Sequence, residues 1–165
     1  SGQREGRRWD FRSGAPLPAQ VRRVGSLGVQ PTWLIYGDSH AAALTPALST
    51  WLARRGEAGE VAYHSGCMPI LDVGAATCRT FNREAVRYGA GRNILLVSIW
   101  REALEEGYRG RRGAALKGAA AIADMQVALG RTIAALHALP LPAMAAISAI
   151  AASATGWVSS SARTS

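Results

Sequence analysis

The chain reads as an α/β protein built on a parallel sheet. Three observations predict this class. Trp33-Leu34-Ile35-Tyr36 is a short apolar run that stops at Gly37, as a buried parallel strand does. Residues 41–54 follow at once with apolar residues at helical spacing. Further along, Asn93–Trp100 reads as a second strong strand and 114–138 as a second long helix. Strands alternating with helices imply parallel pairing with helices on the faces.

Taken in order, residues 1–31 are rich in Gly, Pro and Arg without a period, and read as a basic arm or linker kept extended by Pro16 and Pro18. In the first helix the apolar face is Ala43, Leu44, Ala47, Leu48, Trp51 and Leu52, with Gly56 as the stop. Val61-Ala62-Tyr63 is a candidate strand. His64 to Thr80 reads mostly as loop, and Asn82 to Gly89 as a short helix. Residues 32–138 thus form the domain. From Ala138 to Ala162 no residue is charged, and Leu139–Val158, headed by Pro140 and Pro142, is an Ala/Ser-rich tail. Its length approaches a membrane span, but Ala and Ser supply little hydrophobic drive, so a weakly structured tail is expected.

The 165 residues suit one domain, and 48% hydrophobic residues suffice for a packed core. The composition excludes a disordered chain. Net charge is +8, carried almost wholly by arginine, since Lys117 is the single lysine. The arm's Arg4, Arg7, Arg8, Arg12, Arg22 and Arg23 lack interleaved aromatic residues, so a solvated linker is expected rather than a nucleic-acid partner. Cys67 and Cys78 either close a disulfide in an oxidising compartment or stay as thiols in cytosol. No CxxC or paired His accompanies them, and no metal site is expected. The first thirty residues lack the apolar core of a signal peptide.

The residues that carry chemistry are Gly37-Asp38-Ser39-His40, between a buried strand and a helix. A serine on a strand-to-helix turn is held rigidly with its hydroxyl above the sheet. Its backbone N–H, at a helix N-terminus, suits a developing oxyanion. Gly37 permits the tight turn, and Asp38 caps the helix or holds the loop. Such sites lie at the carboxyl ends of parallel strands, where Ser98–Arg101 also falls.

These residues resemble the first block of the SGNH hydrolase superfamily, and more narrowly the SGNH domain fused to bacterial acyltransferase type 3 membrane proteins. Three further segments fall in register with that subgroup: Gly66-Cys67-Met68-Pro69, Cys78-Arg79-Thr80-Phe81-Asn82 and Leu95-Leu96-Val97-Ser98-Ile99-Trp100. The resemblance spans residues 32–108. It implies a three-layer, flavodoxin-like SGNH fold, with Ser39 as nucleophile and the backbone N–H groups of Ser39 and Gly66 in the oxyanion hole. Gly37, Asp38 and His40 would support them, and Cys67 and Cys78 would pair. The implied reaction is hydrolysis or transfer of an acyl group, often acetyl, on a cell-surface carbohydrate through an acyl-serine, with no cofactor. The implied setting is the extracytoplasmic side of a bacterial membrane, with a membrane acyltransferase domain N-terminal to this chain as partner.

Two departures from the family pattern stand out. The asparagine of the third block is replaced by Ser98-Ile99-Trp100-Arg101, and Asn93 lies at the wrong end of its strand. The final Asp-x-x-His block is missing: His40, His64 and His137 are the histidines, and none has an Asp three residues earlier. His40 should point away from Ser39, His64 should be a loop histidine, and His137 should pack on an apolar helix face. The expected fold is therefore incomplete at its C-terminus, with a truncation or frameshift near residue 139. It should have an unprotected sheet edge and marginal stability. The alternative function is a non-catalytic carbohydrate- or partner-binding remnant, with Trp100, Tyr63 and Tyr108 as candidate sugar-stacking surfaces and Trp100 foremost.

Overall fold

In the computed structural model, residues 10–12 and 14–138 are described. A four-stranded sheet has the order β1 (Arg22–Gly25), β3 (Ala58–Tyr63), β2 (Trp33–Gly37), β4 (Asn93–Val97). β2 is parallel to both β3 and β4, while β1 runs antiparallel to β3 along the edge. Helix α1 (Ser39–Arg54) follows β2, α2 (Ala76–Tyr88) precedes β4, and α3 (Trp100–Glu105) follows it. A two-stranded hairpin, β5 (Tyr108–Arg109) and β6 (Ala115–Leu116), leads into α4 (Gly118–His137). The α/β class is as the sequence predicts, and the parallel order β3-β2-β4 is the start of a flavodoxin-like sheet.

β2 is central because its residues serve two cores. Strand alternation sends Leu34 and Tyr36 to one face, where Phe81, Ala85 and Val86 of α2 pack, and Ile35 to the other, with Ala41 and Leu52 of α1. All three of these β2 side chains are fully buried. A third cluster joins Ile70 and Val73, from the loop after β3, to Met125 and Ala128 of α4.

Several expectations are corrected here. The segment read as an arm is built into the domain from residue 10 onward. Phe11 and Leu17 are buried in the α2-side core, Phe11 N–H donates to Tyr63 O at 2.9 Å, and Val24 packs on the α1 side. Gly and Pro density hid three isolated apolar anchors that carry no period. The buried stripe of α1 is Ala41, Thr45 and Leu52, with Leu48 packed alongside; Leu44 and Trp51 are exposed. The Asp38 cap fixes the helix's phase, and that phase turns the expected face partly outward. α2 starts six residues before the expected Asn82, because Cys78, Phe81, Asn82, Ala85 and Val86 are buried at helical spacing. β4 ends at Val97, and Trp100 opens α3. α4 is long and apolar enough to cross a membrane by length and composition, but one stripe of it packs on the domain. The tail expected from 139 onward lies outside the described residues.

Candidate active site

The site is built where three parallel strands end. Gly37 is paired with Val97 and with Tyr63, so the next residues in each strand, Asp38, Ser98 and His64, converge. The approach is close: a Cβ on Gly37 would lie 1.7 Å from Val97 O, so glycine alone fits. Asp38 N–H donates to Val97 O at 3.2 Å, and His64 N–H donates to Gly37 O at 3.0 Å.

Asp38 is buried and is the N-cap of α1. Its Oδ1 accepts from His40 N–H at 2.8 Å, and its Oδ2 accepts from Ser98 Oγ–H at 2.6 Å and from Ile99 N–H at 3.0 Å. Burial pushes its carboxyl pKa up, but the bonds from Ser98, His40 and Ile99 outweigh that and hold it below the usual carboxylate range. The Nδ1 of His40 lies 2.9 Å from the same Oδ1. A carboxylate only accepts, so this contact assigns the ring proton to Nδ1.

Ser39 is the first residue of α1 and is exposed, directly after the buried Asp38. Its neighbour Asp38, but not Ser39 itself, lines a cleft of about 420 Å³ together with Gly66, Ser98, Ile99, Tyr108 and Arg109. Gly66 has φ +72° in the turn that follows β3. Among the described residues, nothing hydrogen-bonds the Ser39 hydroxyl. His64 is held between Phe11 and Phe81, with ring centroids at 5.7 and 5.9 Å. Its buried Nδ1 makes no hydrogen bond, and its nearest charged group is Asp10 Oδ1 at 3.4 Å. His137, expected to pack, is exposed at the end of α4.

The walls of the cleft come from sequence-distant segments. Cys67 and Cys78 form a disulfide that ties the loop after β3 to α2. Asn82 is fully buried and donates to Met68 O and Ile70 O at 2.8 and 2.6 Å. Leu71 N–H donates to Thr132 Oγ1 at 2.8 Å, and Gly74 N–H to Arg109 O at 2.8 Å. The loop is thereby fastened to α4 and to the hairpin. Tyr108 donates to Asp124 at 3.1 Å; burial, with help from Asp124, pushes its phenol up to about 12. The same Asp124 accepts from Arg111 Nε at 2.7 Å.

Of the three aromatic residues named from the sequence, Tyr108 lines the cleft. Tyr63 is buried in the α1-side core, and Trp100 packs, half-buried, against Ile70, Val73, Met125 and Ala128. Trp100 is not among the residues that line the cleft. Sequence reasoning placed Ser98 and Ile99 at a site-bearing strand end and named Tyr108, but missed the bonds of Ser98 and Ile99 to Asp38 and missed Arg109 altogether. Ser98 had a usable signal, its position at the carboxyl end of β4. Arg109 sits on a two-residue strand with no period to read.

The family model described as "SGNH domain (fused to AT3 domains)" matches residues 8–141. The chain belongs to the SGNH family. No curated protein and no solved structure matches it. The match reaches well upstream of residue 32, in keeping with Phe11, Leu17 and β1 being part of the fold. The SGNH domain is of a hydrolase- and acyltransferase-like kind, and its family is one whose members are fused to AT3 domains.

Proposed function

We propose that this SGNH domain hydrolyses or transfers acyl groups, acetyl foremost, on carbohydrate hydroxyls through an acyl-serine at Ser39. The observation that carries the reading is Ser39 itself: exposed at the head of α1, at the carboxyl end of the parallel sheet, beside a cleft lined by Gly66 and Asp38. In the first step Ser39 Oγ bonds to the acyl carbon and the ester C–O bond breaks. The leaving oxygen of the donor ester takes up the serine's proton. In the second step water or an acceptor hydroxyl takes the acyl group and returns a proton to Ser39. The N–H groups of Ser39 and Gly66 are the proposed oxyanion donors. Asp38 acts by position, fastening the nucleophile's turn to the Ser98–Ile99 turn.

The AT3 fusion of the family and the Cys67–Cys78 disulfide support work on the extracytoplasmic side of a membrane, beside an acyltransferase domain that delivers the acyl group. A second reading, carbohydrate binding without turnover, is favoured by one observation: among the described residues no histidine hydrogen-bonds Ser39. Turnover of p-nitrophenyl acetate separates the two. The enzyme reading expects Ser39→Ala to lower the rate by about a thousandfold or more. Equal rates for the wild type and Ser39→Ala, with unchanged melting curves, would leave the binding reading.

A further inference from the structure

Next to the catalytic cleft lies a second one of about 490 Å³, and the two share Gly74, Ala75 and Arg109. Its charged lining is Arg79, Arg83 and Arg109, and no carboxylate lines it. Among the described residues none of the three arginines is ion-paired. Their fixed contacts are neutral oxygens. Arg79 Nε donates to Gly74 O at 3.2 Å, Arg83 reaches Thr80 Oγ1 at 3.4 Å, and Arg109 donates to Gly113 O at 3.1 Å. Each guanidinium has five N–H donors and here commits few of them.

Gathering three like charges around one cleft is unfavourable in the free chain, and a bound anion would offset that repulsion. The cleft is also held in place by bonds that do not depend on a ligand, through Gly74 N–H to Arg109 O and the disulfide at Cys78. The start of α2, whose N-cap Ala75 provides no side-chain cap, adds backbone N–H groups to the same wall. Glu106 lines the catalytic cleft and disfavours an anion there, which leaves the arginine cleft as the anion's place.

We infer that this domain acts on an anionic carbohydrate, seating a carboxylate or phosphate of the sugar chain on Arg79, Arg83 and Arg109 while the ester reaches Ser39. The inference rests on the proposed function for the ester, but the anion site stands on its own geometry. Carboxylate and phosphate have the same recognition chemistry here, bidentate bonds to guanidinium.

Calorimetric titration of the full chain tests it, with tetragalacturonate as the carboxylate probe, glucose 6-phosphate as the phosphate probe and maltotetraose as the neutral one. The expected result is binding of an anionic probe in preference to maltotetraose. Affinity should fall about tenfold or more in Arg83→Gln/Arg109→Gln, the loss of one or two charge-assisted bonds. It should be unchanged in Arg54→Gln, which removes a charge elsewhere, and only partly restored in Arg83→Lys/Arg109→Lys, since lysine returns the charge without the bidentate fork. Which anionic probe binds names the source of the anion. Equal weakening by Arg54→Gln, or no preference over maltotetraose, overturns the inference. Ser39→Ala should bind the probe normally. Ester turnover indifferent to Ser39→Ala would sink the catalytic reading while leaving the binding result standing.

Discussion

Asp38 is the residue on which the site's geometry turns. It caps α1 and accepts from Ser98 and Ile99 across the β2–β4 seam. Replacing it with Ala should cost about 2 kcal/mol or more, because each bond to a buried charge is worth more than a neutral one. Its folded pKa is depressed, so its stabilisation is complete above the unfolded carboxyl range near pH 4 and is lost as pH falls through the folded value. Urea unfolding of wild type and Asp38→Asn between pH 7 and 3 checks this: the gap between them should narrow as the pH drops. A gap constant with pH would mean that Asp38 does not act as a charge. At this scale the turn Gly37-Asp38-Ser39 was legible because a strand, a turn glycine and a helix cap leave local marks, whereas Gly66 was named only through the family resemblance. Arg109 was not, because an arginine in a hairpin looks the same whether or not it faces a cleft, and Ser98 was marked only by its place at the end of its strand.

At the scale of elements, the closeness of β2 and β4 is the tightest constraint. Gly37→Ala would press a Cβ against Val97 O and should destabilise the domain by about 3 kcal/mol or more. Gly66→Ala meets open space and carries only the strain of its positive φ, about 1–2 kcal/mol. Denaturant midpoints of the two variants should therefore differ clearly, and equal losses would contradict the close approach. The strand-turn-helix of β2 and α1 was readable from a buried run followed by a change of period. The start of α2 was not, because Gly74 and the two cysteines masked a helix whose buried face becomes visible only against β2. β1 was missed for a related reason: Arg22-Arg23-Val24-Gly25 has one buried side chain, and its pairing with β3 is antiparallel and at an edge.

At the scale of the molecule, the disulfide loop ties the parts together. It is bonded to α2 by Cys67–Cys78, to α4 through Leu71–Thr132 and the Asp72–Arg131 ion pair, and to the hairpin through Gly74–Arg109. Cys67→Ala/Cys78→Ala should lower stability by about 2–3 kcal/mol, the value for a closed loop of this length. The amide of Gly74 should then exchange faster with solvent. Unchanged exchange there would show that the non-covalent fastenings suffice. Both clefts depend on this loop, so the variant should also bind the anionic probe more weakly.

The sequence by itself determined the α/β class, the strand-turn-helix at Gly37-Asp38-Ser39 and the order of the family's motifs. Burial period, turn glycines and caps are properties of neighbouring residues, and they survive in a one-dimensional reading. Only the tertiary structure decided the phase of α1, the place of Phe11, Leu17 and Val24 in the core, and which distant side chains share a cleft. Those outcomes depend on strand register and on the closing of long loops. A one-residue shift in register would have carried Ser98 away from Asp38 without changing a single local propensity.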